Sequence, residues 1–159
     1  MSYYKKNCSN FKPAEISVER NAGDTADVVY CENISEFFAD DEGLASYSWD
    51  EYRATVPYRP NLEATVLGNA QAWIEFVKQK AYDQAASDVR DKRNELLADS
   101  DSQALLDRIA KDATSLDEIA ECLRSMHSAE WTAYRQALRD IPQQEGFPFD
   151  VTFPEKPKK

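Results

Sequence analysis

The period of the apolar positions changes several times along this chain, and each change predicts a different element. Ala14, Ile16 and Val18 alternate with polar residues, a spacing of two that puts them on one face of a strand. Thr25 to Cys31 continues with β-branched and aromatic residues, and Asn21-Ala22-Gly23-Asp24 between the two runs supplies turn residues that accept positive φ. A β-hairpin is expected there, within a small β element over residues 1–32.

Residues 33–60 lack a clear period. Asn33 with Glu36, and Ser48 with Glu51, each have a capping-box spacing, an N-cap side chain with an acid three residues on. Short helices and loops are expected, the first ending at Asp40-Asp41-Glu42-Gly43. Val56-Pro57-Tyr58-Arg59-Pro60 must be extended, because two prolines break helix and ladder alike.

From Asn61 the period lengthens. Val66, Ala70, Trp73, Ile74, Val77, Ala81, Ala85, Val89 and Leu96 recur at steps of three, four or seven, which predicts a helix to about Ala98 with Gly68 as its weak point. Asp99 to Ser102 breaks it, and a short helix through Leu105, Leu106 and Ile109 follows. Ser115 and Glu118 form another capping box ahead of Leu116, Ile119, Leu123 and Met126. His127-Ser128 either interrupts that helix or is passed through. Trp131, Tyr134, Leu138 and Ile141 then share one helical face, and Pro142 stops the helix. After Gly146 the period returns to two. Phe147, Phe149, Val151 and Phe153 alternate with Pro148, Asp150, Thr152 and Pro154, so one face of an extended ribbon is expected to be apolar.

The fold class expected is α+β: a small N-terminal β-hairpin module, a long antiparallel helical hairpin and an extended C-terminal ribbon. The matching division is 1–60 as a small α/β module, 61–142 as a helical region and 143–159 as a docking tail. A chain of 159 residues is long enough to bury a core without disulfides or metals.

Charge narrows the classes of partner. The formal net charge is -10, which argues against nucleic acid and anionic membrane, where Lys and Arg must dominate. No apolar run of about 18 residues marks a transmembrane helix, and the first residues have charge but no apolar core of a secretory signal. Cys8, Cys31 and Cys122 form no CxxC pair, so they read as reduced thiols, although the spacing leaves a Cys8–Cys31 bridge open.

Little chemistry is on offer. Asp99-Ser100-Asp101 looks like the start of a calcium loop, but Ala104 and Ala110 stand where the required Gly and bidentate Glu would be. Asp40-Asp41-Glu42 reads as a solvated turn. His127 is the single histidine and has no nucleophile near it in sequence. No P-loop, GxGxxG, GxSxG or HExxH pattern occurs. An enzyme is not expected, nor a catalytic residue, a cofactor or a metal. Arg90, Lys92, Arg93, Arg135 and Arg139 lie on helices rich in acids and read mostly as i,i+4 partners. Trp131 opens the docking segment and is the tryptophan best suited to an interface.

The run Trp131-x-x-Tyr134-Arg135-Gln136-Ala137-Leu138-Arg139-Asp140-Ile141-Pro142, with Gly146-Phe147-Pro148 and Phe153-Pro154-x-x-Pro157, resembles the C-terminal signature of the phage tail assembly chaperone family. Upstream, Arg90-x-x-Arg93-Asn94-x-Leu96-Leu97-x-x-Ser100-Asp101 is similar to that family's preceding helix. The likeness covers about the last seventy residues; it extends more weakly to the C-terminal end of tail fibre assembly proteins. Where the family usually has tryptophan after the Ser/Thr-Asp step, this chain has Ser102, and where tryptophan commonly precedes the late proline it has Phe153. The resemblance implies a non-enzymatic phage protein that binds a tail or tail fibre protein and helps it assemble in the host cytoplasm. Retention in the virion and homo-oligomerisation stay open. The residues expected to meet the partner are Trp131, Tyr134, Arg135, Arg139, Phe147, Phe149 and Phe153. The rival readings are a permanent virion component of the fibre attachment or baseplate, and an acidic inhibitor of a host protein.

Overall fold

The structure, a computed structural model, describes residues 3–38, 45–101, 109, 114–126 and 129–157. The turn expected at Asp40–Gly43, the short helix through Leu105 and Leu106, and His127 lie outside the described residues. The chain divides into two compact units, Met1–Asp83 and Gln84–Lys159. It is a mixed α/β chain with a four-stranded antiparallel sheet and, among the described residues, four α-helices.

The first unit holds the sheet. Its strands are β1 (Tyr3–Ser9), β2 (Ile16–Arg20), β3 (Thr25–Phe38) and β4 (Ala45–Pro57), in the spatial order β1-β4-β3-β2. The expected hairpin is present as β2–β3, with Val18 opposite Val28. Gly23 in its turn has φ 124°, a conformation that side-chain-bearing residues rarely adopt.

Among the described residues of 33–60 no short helix forms; β3 runs to Phe38 and β4 from Ala45 to Pro57. A capping box is a local option, whereas Val28, Tyr30, Tyr52 and Ala54 gain burial only by pairing at long range. Tyr30 lies opposite Tyr52, and Val28 opposite Ala54, so all four point to one face and are buried. Asn33 does something other than cap a helix. Glu32 pairs with Asp50 and Ser35 with Ser48, so two residues on β3 oppose one on β4. Asn33 takes φ 56° at this bulge, and its side-chain amide donates to the Asp50 carboxylate at 2.8 Å. Asn tolerates that left-handed backbone better than most residues. Ser48 bonds the Ser35 hydroxyl at 2.8 Å. Pro57 closes β4 at its last position, where the lost donor matters least.

Helices cover one face of this sheet. The single helix expected from Asn61 is two: α1 (Leu62–Gly68) and α2 (Ala70–Asp99). The break falls at Asn69, next to the glycine that costs a helix most in backbone entropy. Leu62, Val66, Trp73, Ile74 and Val77 pack on Ala26, Val28, Tyr30, Tyr52 and Ala54 to form the first core. Burying these side chains contributes about 1.5–3 kcal/mol for each large one, and this core joins helices and sheet as two layers.

The second unit contains the rest of α2, then α3 (Leu116–Met126), α4 (Ala129–Asp140) and a 3₁₀ turn over Ile141–Gln143. The capping box at Ser115 is formed. The Glu118 amide donates to Ser115 Oγ at 3.2 Å, while the Glu118 carboxylate accepts from the Thr114 amide at 2.7 Å and its hydroxyl at 3.0 Å. Those bonds hold the Glu118 carboxyl below its ordinary value. Pro142 sits in the 3₁₀ turn that ends α4, as its missing donor requires.

Candidate functional site

The second unit is built around the face that the spacing of three and four foretells. Trp131, Tyr134, Leu138 and Ile141 are all buried and form one cluster. The rings of Trp131 and Tyr134 meet edge to face, with centroids 5.8 Å apart, the arrangement that aromatic quadrupoles prefer. Val89, Leu96 and Leu97 of α2 and Phe147, Val151 and Phe153 of the tail pack against them. Burial pushes the Tyr134 phenol up.

Polar groups tie the carboxyl end of α2 to this cluster. Arg135 donates from Nε and Nη2 to the Ser100 carbonyl at 3.1 and 2.9 Å, and its guanidinium lies 5.8 Å from the Trp131 ring centre. Ser100 is fully buried; its hydroxyl donates to the Leu97 carbonyl at 2.8 Å. Lys156 pairs with Asp99 and stands 6.0 Å over Trp131. Two cations thus meet a helix end whose unpaired carbonyls carry partial negative charge.

The tail is not one continuous ribbon. Residues 146–150 form a turn, in which the Phe149 and Asp150 amides both donate to the Gly146 carbonyl, at 2.9 and 2.8 Å. A Cβ on Gly146 would lie 2.0 Å from the Asp150 carbonyl oxygen, so the turn requires glycine. The Gln144 side chain then grips Thr152 like a neighbouring strand: its amide donates to the Thr152 carbonyl at 2.9 Å and its oxygen accepts the Thr152 amide at 2.8 Å. As a result the alternation splits. Phe147, Val151 and Phe153 turn onto the core, Pro148 is buried, and Phe149 points out, 69% exposed. A period of two holds only for an extended backbone, and the turn removes that condition.

The seven residues expected to meet a partner therefore fall into two groups. Trp131, Tyr134, Phe147 and Phe153 belong to the cluster, and Arg135 braces it. Phe149 and Arg139 are exposed. Arg90, read from sequence as an ion-pair partner, instead lies over the Phe147 ring at 5.5 Å. The Gln144 clamp and the Lys156–Asp99 pair carried no sequence signal, since a contact across 57 positions has no local period.

Among the described residues, no three His, Cys, Asp or Glu side chains are grouped to hold a metal, and no helix is long and apolar enough to cross a membrane. Cys8 and Cys31 are both free thiols. Cys31 is buried, which pushes its thiol up to about 11, away from nucleophilic character.

A family model described as phage tail assembly chaperone protein matches residues 86–158. That segment, a little under half of the chain, is similar to the phage tail assembly chaperone family. The match covers nearly all of the second unit and stops short of the sheet. No curated protein and no solved structure gives a significant match. Within the matched segment, Leu96 and Leu97 upstream pack with Trp131 and Tyr134 downstream in one cluster, and Arg135 bonds Ser100 beside it.

Proposed function

We propose that the chain is a non-enzymatic chaperone that binds a phage tail or tail fibre protein through its C-terminal half. The observation that carries this reading is the exposed Phe149, presented by a turn that Gly146, Pro148 and the Gln144–Thr152 clamp hold in place, within the segment that the family model matches. Trp131, Tyr134, Arg135, Phe147 and Phe153 form the frame of the binding element; Phe149 and Arg139 are its contacts. A large aromatic side chain kept in water on a fixed backbone loses little further freedom on docking, which favours affinity. The helical region 61–142 serves as an arm, with α2 and α4 as the two sides of its helical hairpin. The module 1–60 positions the partner, and the tail 143–159 docks. Binding takes place in the host cytoplasm during assembly, needs no cofactor, and involves neither nucleic acid nor membrane.

Co-expression of this chain with the tagged tail fibre encoded beside it, followed by pull-down and by mass spectrometry of finished particles, tests the proposal. Co-purification with the fibre and absence from particles is the expected result. Fixed stoichiometry in the particles would make the chain a virion component of the fibre attachment or baseplate. Absence from both would remove the tail reading and turn attention to an acidic inhibitor of a host protein.

A further inference from the structure

We propose that a groove in the first unit, outside the segment that the family model matches, docks a protein segment presenting one aromatic side chain between carboxylates. The groove arises from the break between α1 and α2. Leu62 and Val66 before the break and Ala72, Trp73 and Phe76 after it line one cavity of about 360 Å³ with Val56 at the end of β4. A volume of this size accommodates an aromatic side chain with its neighbouring backbone. The walls are apolar, and Phe76 remains 40% exposed while Trp73, three residues before it on the same helix, is buried in the first core.

Charge selects the occupant. The chain carries 29 acidic and 19 basic residues, yet none of the residues lining the groove is acidic, and Arg59 is among them. Lys80 adds a second cation, 5.3 Å over the Phe76 ring, held there by donation to the Thr55 carbonyl at 3.2 Å. A basic rim on an apolar slot, on an otherwise acidic protein, fits an apolar anchor with carboxylates beside it and repels a basic one. The Trp73 indole N–H donates to the Tyr52 carbonyl at 3.4 Å, so the ring is fixed and its N–H reports on the groove.

The test uses the 159-residue chain labelled with ¹⁵N and three short peptides. Acetyl-Asp-Glu-Phe-Asp-Glu-amide is the probe; the same peptide with Ala for Phe, and one with Lys for every acid, are the controls. The acidic Phe peptide is expected to move the Trp73 indole resonance saturably, and both controls to bind roughly tenfold more weakly. Arg59→Glu, an exposed position, is expected to reverse the preference between the acidic and the basic Phe peptide. Ala72→Trp is expected to fill the groove and abolish the shift. The proposal fails if no peptide shifts the resonance saturably, if the Ala peptide binds as well, or if Arg59→Glu leaves the preference unchanged. A wild-type dimer that Ala72→Trp converts to monomer would assign the groove to a second copy and overturn the proposal in that way. None of these outcomes depends on whether Phe149 binds a tail protein.

Discussion

Arg135 closes the carboxyl end of the long helix by bonding the Ser100 carbonyl with two nitrogens, at 3.1 and 2.9 Å across 35 residues of sequence. The helix terminus offers carbonyls with no intrahelical partner, and a planar guanidinium satisfies one of them with both prongs while sitting beside Trp131. Arg135→Ala is expected to cost about 2 kcal/mol, the range of a hydrogen bond to a charged group. Arg135→Lys recovers only part, because an ammonium cannot copy the fork. Faster hydrogen exchange of the amides from Leu97 to Asp101 is the signature; unchanged exchange would mean that α2 ends stably without the cap.

Trp131 and Phe149 are expected to separate cleanly, although both lie in the same signature. Trp131→Ala empties a buried site and costs about 3–5 kcal/mol. Phe149→Ala leaves stability within about 0.5 kcal/mol and weakens binding of the tail protein. Urea denaturation and pull-down on both variants check this pair. Intact binding by a well-folded Phe149→Ala chain would remove that residue from the interface.

Gly146→Ala places a methyl carbon against the Asp150 carbonyl oxygen, at 2.0 Å before relaxation. The two amide bonds onto the Gly146 carbonyl cannot persist at that distance, so the turn and the Gln144 clamp are expected to open together. Limited proteolysis should then cut within residues 144–157 at least tenfold faster. A tail as resistant as wild type would show that the turn has another conformation available.

The Cys31 thiol and the Tyr52 phenol of the first unit set an alkaline limit. Burial raises Cys31 from 9.0 to about 11 and Tyr52 from 10.0 to about 12. Each is neutral when folded, so its contribution is complete below the unfolded value and is lost as pH rises to the folded one. The melting temperature of the first unit is therefore expected to fall between about pH 9 and pH 12, with little change from pH 7 to pH 9. In a Cys8→Ser, Cys122→Ser chain, Cys31 should resist thiol reagents at pH 8 until denaturant is added. Prompt reaction in the folded state would place the thiol in solvent.

The sequence by itself determined the parts whose physics is local. Trp131, Tyr134, Leu138 and Ile141 share a face because a helix repeats every 3.6 residues, and all four are buried together. The β2–β3 hairpin followed from alternation around a turn with Gly23. Tertiary structure decided where local options competed. Asn33 and Ser48 have the spacing of helix caps but lie in strands, since burial of Tyr30 against Tyr52 outweighs one cap bond. The tail's alternation predicted four aromatic or aliphatic side chains on one face, and the turn closed by the Gly146 carbonyl sent Phe149 the other way. Arg135 could be read as basic from its letter alone; that it would brace Ser100 depended on two helices meeting, and contacts between distant segments leave no period in the sequence between them.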